Sequence, residues 1–70
     1  MFGDQEALVL EVLPLSVHGL VYYDVKVAFR DRSVHDARLG PEAVPEDLQT
    51  GERVTATLAA NMIVSLRRPE

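Results

Sequence analysis

His18 and His35 are the only histidines, and there is no cysteine, so the chain has no thiolate for a metal, a disulfide or a nucleophile. A zinc site would need carboxylates such as Asp24 or Asp36 beside the histidines. Asp36 directly follows His35, and consecutive residues of a strand point to opposite faces, so the two cannot share an ion without a bulge. Ser33, His35 and Asp36 have the residue types of a nucleophilic triad. On a strand, however, Ser33 and His35 stand roughly 7 Å apart and Asp36 is turned away. Glu42, Glu46 and Asp47 could pair for acid–base work, but they lie in a solvated loop where carboxylates keep ordinary pKa values. Gly3, Gly19, Gly40 and Gly51 are too scattered for a phosphate loop. The expectation is a non-enzymatic protein with no metal site and no cofactor.

Charge bears on the partners. Seven basic and eleven acidic residues give a net charge of −4. That charge repels phosphate overall, although a local patch could still act. The candidate patch is Tyr22, Lys26, Arg30 and Arg38: one ring to stack a base and three cations for a single strand's phosphates. Asp24 and Asp36 interrupt it, so nucleic acid is the alternative reading. No apolar run approaches the roughly 20 residues of a membrane span. The start, Met1-Phe2-Gly3-Asp4-Gln5-Glu6, lacks the basic region of a signal peptide. A soluble cytoplasmic protein is expected.

These side chains depend on strands for their placement. Over residues 20–30, Val21, Tyr23, Val25, Val27 and Phe29 alternate with Tyr22, Asp24, Lys26, Ala28 and Arg30, the period-two pattern of a half-buried strand. A first strand is expected over about 6–13, with Leu8, Leu10 and Val12 facing in and Pro14 ending the pairing because it has no N–H. Ser16-Val17-His18-Gly19 reads as a turn, and Asp31-Arg32-Ser33 as a hairpin connection. Residues 33–39 form a third strand with His35, Ala37 and Leu39 inward. Pro45-Glu46-Asp47-Leu48 is expected to make one helical turn, with Val44 and Leu48 plugging the core. Val54, Ala56, Leu58 and Ala60 face in from a fourth strand. Ala60-Asn61 permits a tight turn, and Met62, Val64 and Leu66 face in from a fifth. Arg67-Arg68-Pro69-Glu70 reads as a polar tail.

Five strands with a short helical turn between the third and fourth describe one all-β domain over 1–70. Curling into a small barrel would hide one apolar face and both edges. With the entry Pro45-Glu46-Asp47-Leu48-Gln49-Thr50-Gly51-Glu52-Arg53-Val54, residues 6–66 resemble small five-stranded barrels of the oligonucleotide/oligosaccharide-binding (OB) type, or alternatively SH3-like barrels. That resemblance implies a binding module. The chain also carries more apolar residues than a 70-residue core needs. Val9, Leu13, Leu15 and Ile63 are the candidates for an apolar interface with a second copy or a protein partner.

Overall fold

The alternating apolar and polar side chains of residues 21–29 form the second of five strands. The computed structural model of the protein describes residues 2–69, and at Phe2 the backbone alone. The strands are β1 (Phe2–Val17), β2 (Leu20–Phe29), β3 (Val34–Leu39), β4 (Arg53–Ala59) and β5 (Met62–Arg67). They make one antiparallel sheet in the order β3-β2-β1-β4-β5. β1 is shared: residues 2–8 pair with β4, and residues 7–17 pair with β2. β3 and β5 lie at opposite ends of this order, yet their Cα atoms come within 8 Å of each other. The sheet therefore coils round, but hydrogen bonds do not close it. The Cα radius of gyration is 11.4 Å, against about 11 Å expected for a compact chain of this length. Among the described residues no helix is long and apolar enough to cross a membrane.

The core is wholly apolar. Val9, Val25, Val27 and Val54 are its most enclosed side chains, and among the described residues no buried one is polar. Facing follows the alternation in β2 (Val25, Val27, Phe29), in β3 (Leu39) and in β4 (Val54, Ala56, Leu58), but Val21 at the start of β2 and Ala60 in the β4–β5 turn, both expected inside, are exposed. Leu48 is buried and Val44 packs against the cluster, so both plug the core.

β1 and β5 depart from simple alternation, each through a bulge. On β1, Val9 pairs with Val27 and Glu11 with Lys26, leaving Leu10 as an extra residue. A bulge moves the later side chains by one position relative to the faces. The inner set is therefore Ala7, Val9 and Val12, while Leu8 and Leu10 are exposed, contrary to the expected inward set. On β5, Leu58 pairs with Ile63 and Thr57 with Ser65, so Val64 is the extra residue. Ile63 and Leu66 face in; Met62 and Val64, expected inside, are exposed.

Three further expectations are corrected. β1 runs on through Pro14 to Val17. Pro14 lies beyond Leu8, where β4 stops, so it has a strand partner on one side only. Val17 and Leu20 flank a two-residue turn at His18-Gly19 and form a hydrogen-bonded pair. Counting back from them, Pro14 falls on a non-bonded pair with its nitrogen toward the open edge. The helical turn is a 3₁₀ turn at Pro41–Ala43, not Pro45–Leu48. It ends at Val44, which is extended (φ −131°, ψ 150°), as a residue preceding proline prefers. The C-terminal arginines are not a free tail. Arg67 lies in β5 and Arg68 ties down the β3–β4 connection (below).

The two-residue turns are alike. His18 and Gly19 have φ of 52° and 79°, and Ala60 and Asn61 have 51° and 65°. This left-handed pair matches the strand twist of a tight hairpin.

Candidate interaction surface

The cross-strand register arranges the outer face of β3, β2 and β1 in levels. Val34, Ala28 and Leu8 form one level, and Asp36, Lys26 and Glu11 the next. Arg38, Asp24 and Leu13 form the third. Beyond them, where β3 has ended, come Tyr22 with Leu15 and Leu20 with Val17. Residues 14–17 and 20–22 thus project as a two-stranded ribbon. Its side chains are largely apolar, with Leu20 60% and Val21 47% exposed. With the bulge at Leu10, the leucines at 8, 10, 13 and 15 share the outer face of β1. Three of them are exposed, Leu13 most at 52%.

Two of the four expected interface residues belong to this surface and two do not. Leu13 is exposed and Leu15 half-buried on the ribbon. Val9 is only 1% exposed and Ile63 only 8%, so both are core residues of the single chain and unavailable to a partner. The two bulges explain the reversal. Leu8 and Leu10, assigned to the core by alternation, hold the surface positions instead. Residues 8–10 are apolar on both faces, so the sequence carried no sign of the switch.

The four nucleic-acid candidates are not assembled into a cationic groove. Arg38 Nε donates to Asp24 Oδ1 at 2.8 Å and its Nη2 to Oδ2 at 3.2 Å. This two-point pairing holds the Asp24 carboxyl below its ordinary range. Arg30 reaches Glu6 at 3.4 Å, and Arg53 reaches the same oxygen at 3.4 Å from the other side. Lys26 lies between Glu11 and Asp36 in register and makes no ion pair among the described residues. A shallow depression of about 530 Å³ here is lined by Glu11, Asp24 and Asp36 as well as Lys26 and Arg38. Three carboxylates against two cations make it net acidic, which opposes phosphate. Tyr22 is half-buried on the ribbon, one strand position beyond the last β3 level.

The remaining chemistry-bearing residues serve local structure. His35 packs edge-on against Phe29, with ring centroids 4.8 Å apart. Ser33 donates its backbone N–H and its hydroxyl to Asp31, which fixes the β2–β3 turn and holds Asp31 low in pKa, the hydroxyl bond contributing most. Among the described residues no three His, Cys, Asp or Glu side chains could hold a metal ion together. Glu52, to which sequence reasoning gave no role, is the knot of the β3–β4 connection. Its carboxylate accepts from Arg68 Nε at 2.9 Å and from the Gln49 N–H at 2.7 Å, and the Arg68 bond is the main cause of its lowered pKa. Arg68 also donates to the Glu46 carbonyl at 2.7 Å. The connection then bonds to β1 through Gly51 N–H to Val9 O and Val9 N–H to Glu52 O, covering the edge of β1 just before the bulge. A third polar cluster spans three strands: Arg67 and Thr57 both donate to Asp4 at 2.8 Å and lower its pKa, Arg67 more.

No family model, no curated protein and no solved structure matches this chain.

Proposed function

We propose that the protein is a non-enzymatic binding or assembly module that attaches to a protein partner through the outer leucines of β1 and the β1–β2 ribbon. The carrying observation is that Leu8, Leu10, Leu13 and Leu20 stay exposed although the core is complete without them. Contiguous apolar surface of this kind marks interfaces. In the same reading the chain is a small barrel of the OB type. Support comes from a first strand shared by both halves of the sheet, the Leu48 plug between β3 and β4, and the approach of β3 to β5.

Sedimentation velocity at about 100 μM, with and without a single-stranded oligonucleotide, tests the function. The expected result is association that survives high salt, because apolar burial is not screened as ion pairs are. Leu13→Asp should abolish it without changing the β-type circular dichroism. A monomer that binds the oligonucleotide, with binding lost in salt, would overturn the reading.

A further inference from the structure

We infer that the occupant of this surface is a second copy of the chain, stacked face to face about a twofold axis that runs parallel to the strands midway between β1 and β2. This rests on the outer face being the interface, as proposed above. The order of charged and apolar groups on that face favours self-recognition. Rotation about this axis keeps each level and exchanges β1 for β2, so residues that are cross-strand partners within one chain meet again between chains. Leu8 then meets Ala28, Leu15 meets Tyr22, and Val17 meets Leu20, all apolar. Glu11 meets Lys26, and by symmetry Lys26 meets Glu11, giving two opposite-charge contacts in the middle of two apolar zones. A symmetric interface requires this reciprocity, residue i on j and j on i.

Charge also selects the axis. A twofold axis across the strands at the same level would stack β1 on β1 and β2 on β2. Glu11 would then lie over Glu11 and Lys26 over Lys26, and such like-charge contacts strongly oppose association. The parallel axis leaves one mismatched level, where Leu13 lies over Asp24 and Asp24 over Leu13, and the Asp24 charge is already held on its far side by Arg38. Edge-to-edge pairing of β1 is opposed by Pro14, whose nitrogen faces that edge without a proton. Ten paired positions in β1–β2, at about 3.4 Å each, make a face about 34 Å long. Aligned sheets pack through faces of this kind.

The test is a charge exchange read by sedimentation equilibrium. Glu11→Lys alone and Lys26→Glu alone each place like charges at both central contacts. Each should weaken dimerisation at least tenfold. An equimolar mixture of the two variants should recover a heterodimer, and the Glu11→Lys/Lys26→Glu double variant should recover the homodimer. Glu11→Gln and Lys26→Gln keep the fold nearer to its native charge and should show intermediate weakening, which keeps the test decisive if a reversal unfolds the chain. Single reversals that dimerise like the parent, or a mixture that stays monomeric, would overturn the proposed axis. If the parent dimerises and Leu13→Asp breaks it while both reversals have no effect, the surface stands and the axis falls. A monomeric parent removes both.

Discussion

The two halves of β1 have similar residues and opposite fates. Residues 7–9, Ala-Leu-Val, lie between β2 and the β4 side, and Ala7 and Val9 vanish into the core. Residues 13–17, Leu-Pro-Leu-Ser-Val, have β2 on one side and no strand on the other, and Leu13 stays half in water. Hydrophobicity does not separate the halves; the number of neighbours does. An apolar side chain becomes core where other elements cover its face and stays exposed where they do not, as Leu8 does between Ala7 and Val9. The bulge at Leu10 sits at the border between the two.

The same charge placed in each half should have very different effects. Val9→Asp should unfold the protein, because an unpaired buried carboxylate costs several kcal/mol against a total stability of roughly 5 kcal/mol. Leu13→Asp should leave the circular dichroism spectrum and melting temperature near the parent's and remove only self-association. Equal loss of structure in both would show that the ribbon is part of the core.

Next in size is Leu48→Ala. Leu48 and Val44 reach the inner side of the ribbon's base, where they line a recess with Val12 and Tyr23. Truncation of a buried leucine costs about 2–5 kcal/mol. Urea denaturation should show that loss. Native-state hydrogen exchange should show Val12 and Tyr23 losing protection before Val54, if the ribbon half is the less supported.

Acid should weaken the fold. Asp4, Asp24 and Glu52 have lowered pKa values because of their bonds to Arg67, Arg38 and Arg68 respectively. The folded state therefore binds protons less readily than the unfolded state. The associated stability is full above the ordinary carboxylate range and is lost as pH falls through the lowered values. These carboxylates are exposed and the effect is modest and salt-sensitive. Thermal melts from about pH 7 to about pH 3 should therefore fall. Melts that rise with acid would contradict the ion-pair geometry.

The smallest effect separates the two tight turns. In the ribbon, Gly19 takes its positive φ freely, whereas at the β4–β5 turn Ala60 holds φ 51° with a Cβ. That conformation costs an alanine about 1 kcal/mol, part of which glycine returns through its larger unfolded-state entropy. Ala60→Gly should stabilise by about 0.5 kcal/mol, a rise of a few degrees in melting temperature. Gly19→Ala should lower it.

The all-β class, the number and order of the strands, both tight hairpin turns, the Leu48 plug and the facing of β2, β3 and β4 were legible from residue types alone. In those strands one face is polar, so the pleat has only one acceptable phase: Asp24 and Lys26 must be outside if Val25 and Val27 are inside. Leu13 and Leu15 stand out as surplus apolar residues, but the same count includes Val9 and Ile63, which the core absorbs. In β1 and β5 both phases are apolar, and Leu8-Val9-Leu10 or Met62-Ile63-Val64 can be placed either way at no difference in hydrophobicity. Packing decided there, by inserting Leu10 and Val64 as bulges that send Val9 and Ile63 inward. Long-range geometry also decided where β4 leaves β1, whether Pro14 interrupts a sheet or merely borders one, and which acid each arginine meets. Arg67 finds Asp4 63 residues away, and no local pattern encodes a contact made only when the first and last strands flank β4.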